Sequence, residues 1–136
     1  MIVYHTSLDD ITPSMLTGFF VGWPNPPSPE THFRLLAESY AVVLAIDEET
    51  AAVVGFVNAI SDGVLSAFIP LLEVLPAHQG NGIGSELVRR MTDLLGDVYA
   101  IDLACDEDVM PFYDRLGFTR GRAMIRRNYS NQAGRP

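Results

Sequence analysis

The chain of 136 residues contains no lysine and one cysteine, Cys105; its 9 basic residues are all arginine. A lone cysteine forms no internal disulfide and builds no thiolate metal cage. Cys105 closes the apolar run that begins at Ile101, where a thiol packs as a small hydrophobe. His5, His32 and His78 show no ligand spacing, so no metal is expected. No apolar run approaches the roughly 18 residues that a membrane span needs. Met1 to His5 also lacks the basic segment, apolar stretch and cleavage site of a signal peptide. A cytoplasmic protein without a membrane partner is the expectation.

Positive charge is scarce as well. A net charge of -8 disfavours nucleic acid, whose binding needs a basic surface. The distribution is uneven: residues 1 to 88 hold one Arg against ten Asp or Glu, and residues 89 to 136 hold eight Arg against seven. An anionic cofactor suits the second part, and a cationic co-substrate suits a site walled by the first. Chance unevenness of surface charge remains the alternative. The length suits one domain, placed at residues 1–129, with a polar and loose tail at 130–136.

What is present is an α/β pattern. Ile2 to Tyr4 reads as a short strand and Asp9 to Phe20 as a capped helix, and Gly22 to Pro27 must be loop. Ser28 caps a second helix with Pro29 at its first position, running to about Glu38. Tyr40 to Ile46, Thr50 to Ile60 and Val64 to Leu75 read as successive antiparallel strands, the last two joined at Asp62-Gly63. Pro70 cannot donate to a ladder, so a bulge is expected at residues 70 to 73. Ile83, Leu87, Met91, Leu94 and Leu95 mark an amphipathic helix. Val98 to Cys105 reads as a strand, and Val109 to Leu116 as a helix closed by Gly117. Phe118 and Ala123 to Tyr129 supply late strands. One parallel crossover in an otherwise antiparallel sheet follows.

Between the third strand and the amphipathic helix stand Gln79, Gly80, Asn81, Gly82, Ile83 and Gly84. Glycines let backbone approach an anion, and the open amides and positive dipole end of the next helix point at it. A dinucleotide fingerprint wants its third glycine where Ser85 stands, and an ATPase phosphate loop needs a lysine. A plain strand-to-helix turn that binds nothing is the alternative.

The run Leu72 to Gly84 resembles the cofactor motif of the GNAT acetyltransferase superfamily, Gln/Arg-x-x-Gly-x-Gly/Ala. Phe112-Tyr113-Asp114-Arg115-Leu116-Gly117-Phe118 is similar to that superfamily's Phe-Tyr-x-x-x-Gly-Phe helix end. The resemblance covers roughly residues 40 to 129. It implies a mixed, mostly antiparallel sheet with a splayed parallel strand pair, flanked by about four helices. It also implies acetyl-CoA as donor, with its pyrophosphate held by Gln79, Gly80, Asn81, Gly82, Ile83, Gly84 and Ser85. The pantetheine arm would lie along main chain near Leu72 and Val74, beside Phe112. Tyr113 then donates to the departing thiolate, with packing on its own helix face as the alternative, and an amide near Val74 meets the developing oxyanion.

The general base is less defined. Glu73 has the wrong side-chain parity unless a bulge reverses the alternation. Asp106 precedes Tyr113 where many relatives carry Asn, and would contact the cofactor arm, order a water or cap the helix. Asp62 reads as a turn residue, His78 as exposed loop, and a water chain is preferred over one dedicated base. Ser61-Asp62-Gly63, Val74-x-Pro76-x-x-Gln79-Gly80 and Asp106 are loosely similar to the branch containing plastid-type serotonin (aralkylamine) N-acetyltransferases, although that branch carries Asp where Leu71 stands. The expected acceptor is therefore a small cationic or aryl amine attacking the thioester directly, with Trp23 and Phe19 or Phe20 as pocket candidates. A non-catalytic acyl-CoA sensor is the alternative. Homodimerisation is left open. Without lysine, side-chain self-acetylation at lysine is ruled out.

Overall fold

Apolar segments separated by turn residues assemble into one sheet with spatial order β1-β2-β3-β4-β5 in this computed structural model, which describes residues 1–136. The strands are β1 (Ile2–His5), β2 (Ala41–Asp47), β3 (Ala52–Ser61), β4 (Ser66–Val74) and β5 (Ala100–Asp102). The first four pair antiparallel, and β5 runs parallel to β4. The turn before β4 is set by Asp62, whose Oδ1 accepts from the amides of Val64, Leu65 and Ser66 at 2.8, 2.8 and 3.2 Å. These bonds favour its charged form and hold its carboxyl below the usual value.

Three α-helices flank the sheet: α1 (Pro29–Ala37), α2 (Ile83–Leu95) and α3 (Met110–Asp114). Ser28 accepts a bond from the Thr31 amide at 3.1 Å, with Pro29 opening α1 as expected. Alternation along β2 divides the core. Val43 and Ala45 meet Ile83, Leu87, Met91 and Leu95 of α2 on one face. Val42, Leu44 and Ile46 meet Phe19, Phe20 and Leu36 on the other. Leu87 and Met91 are fully buried, so truncating either to Ala would cost about 2–5 kcal/mol.

The strand register explains the expected bulge. Asn58 pairs with Leu71 but Ile60 pairs with Phe68, so β4 carries an extra residue around Pro70. Ala67 and Ile69 face α2 before the bulge, and Leu72 and Val74 face it after. Leu71 and Glu73 are thereby turned to the opposite face. The parallel pairing stops at Phe68 with Asp102, leaving the rest of β4 without a partner on that side. The fifth strand is accordingly shorter than the run from Val98 to Cys105.

Several sequence expectations need correction. The helix over Asp9 to Phe20 is only a 3-10 turn at Pro13–Leu16, because Asp10, Gly18 and Phe20 adopt positive φ of 63°, 92° and 62°. That compact turn buries Ile11, Leu16, Phe19 and Phe20 without a continuous helix. The late strands at Phe118 and Ala123 to Tyr129 are absent, since no ladder partner lies beside them. The tail is not loose: the Asn25 amide donates to Gln132 Oε1 at 3.0 Å, and Arg34 donates to the Arg135 carbonyl.

His32 of α1 is fully buried between Phe19, Phe20 and Phe56, whose ring centroids lie 5.4, 4.9 and 4.4 Å away, and neither ring nitrogen is hydrogen-bonded. Desolvation lowers its pKa to about 4. An unfolded histidine titrates near 6.5, so between that pH and about 4 the unfolded chain takes up a proton that the fold rejects. Stability is therefore expected to fall by up to roughly 3 kcal/mol as pH drops through that window, with no further loss from this group below it. Urea titrations at several pH values should show a shallower decline in His32→Leu. Identical pH slopes for the two chains refute the assignment.

Candidate active site

The glycine loop sits where β4 hands over to α2. A 3-10 turn at Pro76–His78 leads into Gln79, and Gly80 and Gly82 both adopt left-handed φ, 82° and 80°. Gly82 is the N-cap of α2 and provides no side-chain cap, so the amides of Ile83, Gly84 and Ser85 lack intrahelical partners. The helix thus opens at Ile83, whose side chain is buried against Gly55. A Cβ on Gly80 or Gly82 would meet nothing within 4 Å, so the loop backbone faces open space. Open amides around a helix N-terminus form an anion cradle, and these residues fit a pyrophosphate.

Charge near the cradle is managed by a surface network. Glu86 accepts from Arg89 at 2.6 Å and from Arg90 at 2.9 Å, which lowers its pKa to about 2. Arg90 lies 4.5 Å over the Tyr4 ring. The first-turn carboxylate is thereby paired with two guanidinium groups instead of facing an incoming anion alone.

Beyond the loop, the open edge of β4 and the start of α3 converge. A Cβ on Gly84 would lie 3.5 Å from Phe112 and 3.8 Å from Val74, so both sequence motifs meet at one point. Gln79 Nε2 donates to the Val74 carbonyl at 3.0 Å, fixing the loop to the strand end. Leu72 lies on the same face of β4 as Val74. Phe112 and Tyr113 pack edge to face at 4.9 Å, and Phe118 packs on Tyr113 at 5.6 Å. Burial, with the nearby Cys105 thiol as a lesser cause, pushes Tyr113 up to about 12. Its hydroxyl therefore stays protonated through the neutral range and keeps a proton to donate.

Across β4 lies a cavity of about 400 Å³ lined by Phe20, Val21, Trp23, Phe56, Leu71, Leu72, Glu73 and Gln79. It adjoins a second, open hollow of about 330 Å³, which shares Phe20, Trp23 and Leu71 and is lined on its far side by Gln132, Gly134 and Arg135 of the tail. Glu73 reaches the first cavity because of the bulge. Its two oxygens accept from the Phe20 amide at 2.8 Å and the Val21 amide at 3.3 Å. A bulky residue in the left-handed region costs about 1–2 kcal/mol, and a charged hydrogen bond returns about as much or more. Glu73 thus holds the Phe20 turn in place while presenting a carboxylate to the cavity wall.

Of the pocket candidates, Phe20 and Trp23 line the cavities, whereas Phe19 is core and packs on Phe56 at 5.1 Å. Asp106 is the N-cap residue of a short 3-10 turn, but its side chain makes no capping bond, so the capping role is not realised. Cys105 is free and half-buried. No group of three or more His, Cys, Asp or Glu side chains could hold a metal ion, and no helix is long and apolar enough to cross a membrane. Sequence reasoning missed the Glu73 anchor on Phe20 and the tail's share in the second hollow. Neither the positive φ of Phe20 nor the docking of residues 129–135 leaves a local signal.

Comparison with known proteins places this geometry among relatives. The model of the Acetyltransferase (GNAT) family matches residues 8–118. A crystal structure of a candidate acetyltransferase from Deinococcus radiodurans R1 is 54% identical, with a TM-score of 0.97, covering 99% of this chain and 94% of that one. A GNAT-family acetyltransferase from Streptococcus pneumoniae TIGR4 is 30% identical with a TM-score of 0.68, over 94% of this chain and 100% of that one. Among curated proteins, GCN5-related N-acetyltransferase 3, chloroplastic, of Arabidopsis thaliana is 38% identical over 85 residues, 61% of this chain. The chain spans only 36% to 59% of the length of the first curated relatives it matches.

Gly82→Ala tests the cradle. Its methyl group forces an L-residue into the φ of 80° at a cost of about 1 kcal/mol and projects into the space where an anion is expected. Calorimetry should show coenzyme A binding weakened by roughly tenfold, the ratio that 1.4 kcal/mol represents. Unchanged affinity in a folded variant removes the loop from the binding site.

Proposed function

The chain belongs to the acetyltransferase (GNAT) family, and on that premise we propose that it moves the acetyl group of acetyl-CoA to a primary amine, a small cationic or aryl amine, in a ternary complex. The observation that carries the reading is the placement of the cavity. Leu72 and Gln79 belong to both its wall and the expected cofactor track, so the two binding regions meet at the end of β4. Apolar walls at Phe20, Trp23 and Leu71 suit an aryl or alkyl body, and the Glu73 carboxylate suits a cationic head.

Acetyl-CoA, when bound, supplies an activated thioester. Gln79 to Ser85 would hold its pyrophosphate, while the free edge of β4 near Leu72 and Val74 would align its arm, beside Phe112. Tyr113 donates a hydrogen bond toward the leaving sulfur; with a pKa near 12 it stabilises the thiolate without giving up its proton fully. Glu73 binds and orients the ammonium, and the proton leaves through water at the open cavity. Because both Glu73 oxygens already accept main-chain amides, orientation is its main contribution.

Tyr113→Phe is expected to lower kcat by about 10²-fold at unchanged affinity for acetyl-CoA, measured by thiol release and calorimetry. In wild type, ionisation of Tyr113 should produce no fall in rate below about pH 11, given its pKa of about 12. A variant with undiminished turnover on every amine withdraws the donor role. A screen over aralkylamines, polyamines, amino sugars and peptide N-termini should show consumption with the first two classes. Acetyl-CoA binding with no consumption anywhere assigns the chain to acyl-CoA sensing instead.

A further inference from the structure

The hollow beside the Glu73 cavity has a charged wall that transfer to a plain amine does not use. Its far side is the C-terminal tail, which is seated on α1 and the loop before it. The Asn25 amide donates to Gln132 Oε1 at 3.0 Å, and Arg34 donates to the Arg135 carbonyl. Gly134 passes so close to α1 that a Cβ there would lie 2.9 Å from Thr31 Cγ2, and its φ is 86°, so this seat requires glycine. The docking brings two guanidinium groups, those of Arg34 and Arg135, into the wall of one hollow.

Neither guanidinium is neutralised. The salt bridges of the chain all involve Arg89, Arg90 or Arg120. Like charges on one wall repel, yet a chain with 17 acids against 9 bases leaves this pair without an acid bonded to it. Glu38, the one acid on the wall, bridges neither arginine, so two positive groups against one negative leave a single positive charge there. Asn131 and Gln132 add amide donors. The first cavity has the opposite sign, because Glu73 is its only charged residue. Phe20, Trp23 and Leu71 belong to both spaces, so an apolar waist joins a negative end to a positive one.

We propose that the second hollow is an anion subsite, and that the acceptor is an amine carrying a carboxylate at the far end of an alkyl or aryl body. The inference rests on the acetyl-transfer reading above and narrows its acceptor. The ammonium lies at Glu73, the body crosses the waist, and the carboxylate meets Arg34 and Arg135. Glu73 has capacity for the ammonium, since a carboxylate offers about four lone-pair sites and main-chain amides occupy only some of them. At the other end a guanidinium fork matches carboxylate geometry. The single net charge of the wall fits a carboxylate better than a phosphate monoester, which carries about −1.5 to −2. Arg34 and Arg135 are then specificity-determining residues that take no part in the acyl step.

Matched acceptors read the subsite: ε-aminohexanoate against hexylamine, and para-(aminoethyl)benzoate against phenylethylamine. In the full-length wild type, kcat/KM should favour each acid over its plain amine by roughly tenfold, mainly through KM. Arg135→Gln keeps the main-chain seat of the tail and should abolish that preference. Arg135→Glu should turn it toward diaminohexane, and Glu38→Gln should strengthen it for the acids. Calorimetry with coenzyme A present measures the same order without turnover. Selective binding of the acids, lost in Arg135→Gln, with no amine consumed keeps the subsite and withdraws the transfer reading. Turnover of amines with no preference for the acids overturns the subsite and leaves that reading standing. Wild-type preference for diaminohexane or for aminohexyl phosphate, an equal loss on all acceptors in Arg135→Gln, or no binding of either acid also overturns the subsite.

Discussion

One extra residue in β4, beside Pro70, governs the functional half of this molecule. It reverses the side-chain alternation, so Leu72 and Val74 face α2 while Leu71 and Glu73 turn to the opposite layer. It also accompanies the end of pairing with β5, which leaves the strand edge beyond Phe68 free. Without the reversal, Glu73 would sit toward α2, where a carboxylate among Leu87 and Met91 would lack partners and cost several kcal/mol. The same irregularity therefore supplies an open backbone edge on one side of β4 and a carboxylate on the opposite layer.

Around that strand lie two regions of unlike build. The glycine cradle offers main chain alone, so its fitness for an anion depends on conformation at Gly80 and Gly82 and on an uncapped helix. The cavity across β4 is built from side chains on four separate segments, around Phe20, Phe56, Leu71 and Gln79, and the adjoining hollow adds the C-terminal tail. A shared backbone cradle with a variable side-chain pocket is the arrangement by which one donor serves many acceptors. Belonging to the acetyltransferase (GNAT) family thus says more about the cradle than about the cavity.

The main elements and the cofactor side were legible in the sequence because their signals are local. Ser28 and Pro29 mark a helix start within two positions, Asp62 and Gly63 mark a hairpin, and Pro70 marks an irregular strand. The misjudged segments lacked a local signal or carried a misleading one. Asp9 to Phe20 has helical spacing of apolar residues, yet left-handed residues break it into a turn that fills the space beneath Phe56. Ala123 to Tyr129 has the composition of a strand and, within one chain, no partner to pair with.

The order of elements, the glycine loop and the tyrosine helix were determined by the sequence itself, since each follows from spacing and conformational preference within a few residues. Tertiary structure alone decided the rest. The convergence of Gly84, Val74 and Phe112, the bonds from Phe20 and Val21 to Glu73, and the tail's place in the wall of the second hollow join residues separated by ten to more than a hundred positions. Contacts of that kind arise from how layers pack and where a strand bulges, and no local preference encodes them.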